Sequence, residues 1–150
     1  MKEGMDVATG GTDNHLMLID VRSFGLTGRQ AESAVRECGI TLNRNSLPGD
    51  PNGPWYTSGL RIGTPAATTL GMGVEEMKEI ASVLKLVLSR TEAQTIQSGE
   101  KAGQKSKARY TIEPKSLQEA RSRITALLEK HPLYPELDLE FLRKHFERNA

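Results

Sequence analysis

Arg61 makes the clearest chemical demand in this chain of 150 residues. It is the only charged residue in the run Ser58-Gly59-Leu60-Arg61-Ile62-Gly63, with a glycine two positions to either side. A guanidinium in an apolar strand needs an anion, and its planar fork matches a carboxylate with two parallel hydrogen bonds. The flanking glycines would let a ligand come close to the backbone. Two partners meet that demand, an internal Asp or Glu or a bound carboxylate, and the run alone leaves both open.

The segment just before it, from Arg44 to Gly59, is dominated by turn formers: Asn45, Pro48, Gly49, Asp50, Pro51, Asn52, Gly53 and Pro54 lead into Trp55 and Tyr56. Proline restricts such a loop before anything binds, so the loop can hold a ligand at small ordering cost or can simply be a long surface connection. A carboxylate-seeking arginine and an aromatic face would then line one side of a cleft.

Other chemistries lack their residues. There is no HExxH, no P-loop and no GxSxG, and Gly71-Met72-Gly73 carries Glu76 where a dinucleotide fingerprint needs its third glycine. His15, His131 and His145 are scattered, and the last two fall in a polar region that implies exposure. Strand alternation sets His15 and Asp20 on opposite faces, which argues against an acid/base or metal pair. The single cysteine, Cys38, cannot form an internal disulfide, and no Cys/His cluster has zinc spacing. A reducing compartment follows. With no stretch of signal-peptide character and no run of about 20 apolar residues, the expectation is a soluble, cytoplasmic protein with no membrane partner. The 20 Lys and Arg against 19 Asp and Glu leave a net charge of +1, which gives no global field for nucleic acid. Lys101, Lys105, Lys107 and Arg109 have only Tyr110 beside them as a stacking aromatic, so no nucleic-acid contact is expected there.

The elements that must position these residues follow from pattern. His15 to Val21 is a short apolar run after a turn-prone stretch and predicts a strand, and Ile40 to Asn43 predicts a second. Between them Thr27-Gly28-Arg29-Gln30 has capping-box spacing, and Ala31, Ala34, Val35 and Cys38 recur at helical intervals up to Gly39, so a helix over 27–38 is expected with Cys38 in the core. Ser58 to Gly63 predicts a strand. Thr64-Pro65 starts a short helix that Gly71 ends, and Val74, Met77, Ile80, Ala81, Leu84, Val87 and Leu88 predict an amphipathic helix over 73–90. Residues 91–113 show little apolar periodicity and read as a mobile loop. Ser116-Leu117-Gln118-Glu119 opens a further helix to Lys130, the Pro132 to Pro135 turn breaks it, and Asp138 caps a last short helix. The fold class is α/β in the broad sense: one small domain over 1–150, a short sheet covered by helices.

Three stretches together resemble a known family: Gly10-Gly11-Thr12-Asp13-Asn14-His15-Leu16, Asn43-Arg44-Asn45-Ser46, and Asp50 through Ala66, read DPNGPWYTSGLRIGTPA. In order and separation they look like the C-terminal part of serine hydroxymethyltransferases. The resemblance implies the small C-terminal domain of a fold type I enzyme, one that uses pyridoxal phosphate (PLP) to move a one-carbon unit between serine and tetrahydrofolate, giving glycine. It implies that Arg61 binds the amino acid's α-carboxylate and that Asn45, Gly53, Pro54 and Trp55 contact the folate. Trp55 stands where the family usually has phenylalanine, and Leu70 where a basic residue is common. The family's Schiff-base lysine lies in a His-Lys motif of a separate large domain. This chain has no His-Lys pair, so no catalytic residue is assigned to it and PLP's covalent site is absent. The implied partners are the PLP-binding large domain or a full-length homologous enzyme, with serine or glycine as ligand, in a homo-oligomer of two or four subunits. Two other readings stay open: a non-catalytic regulatory protein docking on a full-length enzyme, and part of a PLP-dependent aldolase or transaldolase acting on another β-hydroxy amino acid.

Overall fold

The computed structural model describes residues 4–146. Four strands, β1 (Asp6–Val7), β2 (Leu16–Asp20), β3 (Asn43–Asn45) and β4 (Gly59–Gly63), form an antiparallel sheet in the order β1-β2-β4-β3. Register sets the faces. Ile19 lies opposite Leu60 and Met17 opposite Ile62, and this side meets the helices α1 (Gly28–Glu37), α3 (Val74–Ser89) and α4 (Pro114–Lys130). Ala31, Ala34 and Val35 of α1, Val83, Leu84, Val87 and Leu88 of α3, and Ala120 and Ile124 of α4 close on Ile19 and Leu60 as one buried cluster. Cys38 is buried in it, and burial pushes its thiol above the usual range. A bidentate pair of Arg123 with Glu79, at 2.7 and 2.8 Å, ties α4 to α3.

The capping box of α1 forms as its spacing predicts. The Gln30 N–H donates to Thr27 Oγ1 at 3.3 Å, and the Thr27 N–H donates to Gln30 Oε1 at 2.9 Å. The short helix α2 (Pro65–Thr69) starts on proline, and α5 (Leu139–Phe146) begins after Asp138 accepts from the Phe141 N–H at 2.9 Å.

Three expectations about the elements are corrected. The second strand is Asn43–Asn45 rather than 40–43, because pairing with β4 rather than β-branching decides where the chain enters the sheet. The fourth helix starts at Pro114, two residues early, with proline in the first turn. Residues 91–113 are not an irregular loop. They form a hairpin of β5 (Thr91–Thr95) and β6 (Lys105–Ile112), whose turn is closed by Ile96 and Gly103–Gln104 backbone bonds of 2.9 Å. Residues of β6 alternate strictly, with Ser106, Ala108, Tyr110 and Ile112 inward and Lys105, Lys107, Arg109 and Thr111 exposed. Small and hydroxyl-bearing inward residues hid this period of two from a search for apolar spacing.

His131 is also less exposed than expected. Its Nδ1 lies 2.9 Å from the Leu70 carbonyl and its Nε2 lies 3.8 Å from Glu76.

Candidate functional site

The sheet face turned away from α1, α3 and α4 carries the residues that could bind. Asn43, Arg61 and Leu18 lie across one another in register, and so do Asn45, Gly59 and Asp20. Side chains directly opposite on antiparallel strands share a face. Arg61 is therefore central, with Leu18 on one flank and Asn43 on the other. The Arg61 side chain is exposed and makes no hydrogen bond or ion pair with any described residue. The internal salt bridge that the sequence left open does not form, so the guanidinium is available to an external anion.

The two glycines beside Arg61 do different work. A Cβ on Gly59 would lie 2.6 Å from the Leu47 side chain and 2.9 Å from the Asn45 carbonyl, so this glycine admits the buried Leu47 over the sheet. A Cβ on Gly63 would meet nothing closer than 3.7 Å. Access to Arg61 is thus closed at the Gly59 end and open at the Gly63 end. A cavity of about 350 Å³ lies there, lined by His15, Leu16, Thr41, Leu42, Asn43, Arg61 and Gly63. Arg61 is the only fixed charge in that lining.

The proline-rich loop is held by Asp50, whose importance the sequence reading missed although an Asp two residues before Asn52 is a turn signal. Its carboxylate accepts from the Leu47 N–H at 3.1 Å, the Asn52 N–H at 2.8 Å, and the Ser58 N–H and hydroxyl at 2.8 and 2.6 Å. Burial pushes the Asp50 carboxyl upward, but these bonds together outweigh it and hold the group below the usual carboxylate range. The loop ends on strain at Thr57, a buried residue at φ 55° whose Oγ1 has no hydrogen-bond partner. The loop also docks on the start of α1, where Gly28 and Arg29 donate to the carbonyls of Thr57 and Tyr56 at 3.1 and 2.9 Å. Only glycine fits at 28, since a Cβ there would clash with the Thr57 hydroxyl and stand 2.7 Å from the Gly59 carbonyl.

The structure gathers the remaining candidates only in part. Asn45 shares the face of Arg61, with its amide donating to the Ser46 carbonyl at 2.7 Å. Gly53 and Pro54 are exposed at the loop tip. Trp55, 60% exposed, is not beside Arg61 in register but lies against two cations, with the guanidinium carbons of Arg29 and Arg44 at 5.1 and 5.4 Å from its ring. Arg44 is in turn fixed by Glu32 at 2.7 Å. Neither Arg29 nor Arg44 was singled out from sequence, because the contact depends on the loop folding back over α1. Lys107, read as solvated, donates to Asn52 Oδ1 at 2.9 Å and sits 5.8 Å from the Tyr56 ring, which joins the hairpin to the loop.

Among the described residues no group of His, Cys, Asp and Glu could hold a metal ion, and no helix is long and apolar enough to cross a membrane. The residues lining the Arg61 cavity include no lysine.

Comparison with known proteins agrees with the motifs. The serine hydroxymethyltransferase family model matches residues 1–84. The chain is 56% identical to a serine hydroxymethyltransferase of Treponema pallidum over 99% of its own length and 25% of that protein's. It is 49% identical to one of Salinispora tropica over 92% of this chain and 28% of the relative, and 47% identical to one of Chlamydia muridarum over 94% and 28%. The chain therefore spans about a quarter of the length of the curated relatives it matches. With the family model covering more than half of the residues, this chain belongs to the serine hydroxymethyltransferase family.

Proposed function

We propose that this chain is the C-terminal domain of a serine hydroxymethyltransferase and supplies recognition rather than covalent chemistry to one-carbon transfer between serine and tetrahydrofolate. The observation that carries the reading is the exposed guanidinium of Arg61, central on the open sheet face and without a partner among the described residues. An α-carboxylate is a planar anion of the size its fork takes, and the charge-assisted pair would hold the amino acid at a fixed orientation. Leu18 and Leu16 on β2 give the site a half-buried apolar wall, which lowers the competition from water.

Folate recognition is assigned to Asn45, Gly53, Pro54 and Trp55. The support is Asn45 on the Arg61 face and an exposed indole beside two guanidinium groups, a surface suited to a flat ring whose attached tail carries carboxylates. PLP, when bound to the large domain, supplies the electron sink that permits bond cleavage at the amino acid. Its Schiff-base lysine is assigned to that domain, in keeping with a sequence here that carries no His-Lys pair. The partner is accordingly the PLP-binding large domain, in a homo-oligomeric enzyme that works in the cytoplasm.

The test replaces the matching quarter of the Treponema pallidum enzyme with this chain. Arg61→Ala in that chimera is expected to raise the KM for serine and lower kcat/KM about 100-fold, the loss of hydrogen bonds to a charged group. An unchanged KM for serine would sink the assignment.

A further inference from the structure

We infer that Asn43, one strand away from Arg61, is a second ligand for the same carboxylate. The inference rests on the reading of Arg61 given above and adds a residue to it.

Three observations carry it. Asn43 is the register partner of Arg61, so the two side chains leave the same face of the sheet with Cβ atoms about 5 Å apart. Both line the cavity that opens at Gly63. The Asn43 side chain is exposed and makes no hydrogen bond with any described residue, whereas the Asn45 amide already donates one N–H to the Ser46 carbonyl. Asn43 is therefore the asparagine of this strand whose amide is unengaged. The surroundings give the anion a direction. Leu18 flanks Arg61 on the β2 side and Leu47 closes the Gly59 end. His15 and Thr41 also line the cavity, but Asn43 is the donor-bearing residue directly opposite Arg61 in register, so its amide can donate to an oxygen lone pair that Arg61 leaves free. An amide adds no charge, so Arg61 still sets the affinity for anions while Asn43 fixes the tilt of the carboxylate plane.

The test uses the 150-residue chain labelled with ¹⁵N and titrated with glycine, with ethanolamine as the probe lacking a carboxylate. Glycine is expected to shift the Arg61 Nε–H and the Asn43 side-chain NH₂ signals together, with one shared Kd, and ethanolamine to shift neither. Asn43→Ala should weaken glycine about tenfold. Asn43→Gln should restore most of it, and Asn43→Asp should abolish binding by placing a competing carboxylate beside Arg61. Unchanged melting temperatures will show that each variant is folded. If glycine moves the Arg61 signal while Asn43 stays still, or if Asn43→Ala leaves Kd within twofold, the role of Asn43 is overturned and that of Arg61 stands. If glycine moves neither signal, both readings fall.

Discussion

The same residue type has different work at neighbouring positions in this domain. Gly59 is a packing glycine that accepts Leu47, Gly63 leaves the floor of the cavity open, and Gly28 lets α1 approach Thr57 and β4. Asp50 and Asp20 are both carboxylates held below the usual range, but by different means. Arg22 lowers Asp20 through a direct bond, while Asp50 overcomes its own burial with hydrogen bonds from Ser58, Asn52 and Leu47. A carboxyl lowered on folding stabilises the native state above its unfolded value of about 4, and that contribution is lost as pH falls through the lower folded value. Asp50→Asn should therefore cost about 1 kcal/mol at pH 7, and the gap to the parent should narrow as pH is brought below about 4. Urea midpoints measured at pH 7 and pH 3 will check this, and a gap that widens in acid would contradict it.

At the scale of elements, α1 organises more than its own first turn. Gln30 is 1% exposed, caps the helix, and also donates to the Ser106 and Arg109 carbonyls at 2.7 and 2.9 Å, while the Thr27 hydroxyl donates to the Lys107 carbonyl at 2.8 Å. One cap thus holds the hairpin onto the helix. Gln30→Ala is expected to cost about 2 kcal/mol, since it removes half of the box and leaves two carbonyls unpaired. Amide exchange should accelerate in β6 more than in β4. Equal acceleration in both strands would mean that the hairpin is held by something else. The Thr27–Gln30 spacing was legible in the sequence because a cap is local. Its second role was not, because residues 106–109 lie about 80 positions away and their inward side chains are serine and alanine.

At the scale of the molecule, both faces of the four-stranded sheet stay partly open. Beyond the open face of Arg61, a second cleft of about 490 Å³ runs between the sheet and α3, with Met17, Ile62, Val74, Met77 and Ile80 in its lining. Val74 is 70% exposed. Apolar surface of this kind is ordinarily covered in a complete protein. The isolated chain should bind the dye ANS at neutral pH while keeping a cooperative melt. The double substitution Val74→Gln and Met77→Gln should lower that fluorescence at least twofold without lowering the melting temperature. Fluorescence unchanged by the pair would place the dye elsewhere, for instance at Leu133 and Tyr134, which are also exposed.

The sequence by itself determined what depends on near neighbours. The caps at Thr27 and Asp138, the apolar spacing of α1, α3 and α4, the buried Cys38 and the demand of Arg61 for an anion are all properties of residues within a turn or two of each other. Tertiary structure alone decided which strands pair and in what register. That placed β4 between β2 and β3, set Asn43 opposite Arg61, moved Trp55 against Arg29 and Arg44, and turned an apparent loop into a hairpin. The reason is that strand pairing is a contact between distant segments. A shift of one residue would send every side chain to the other face, and only the packed core selects among the registers.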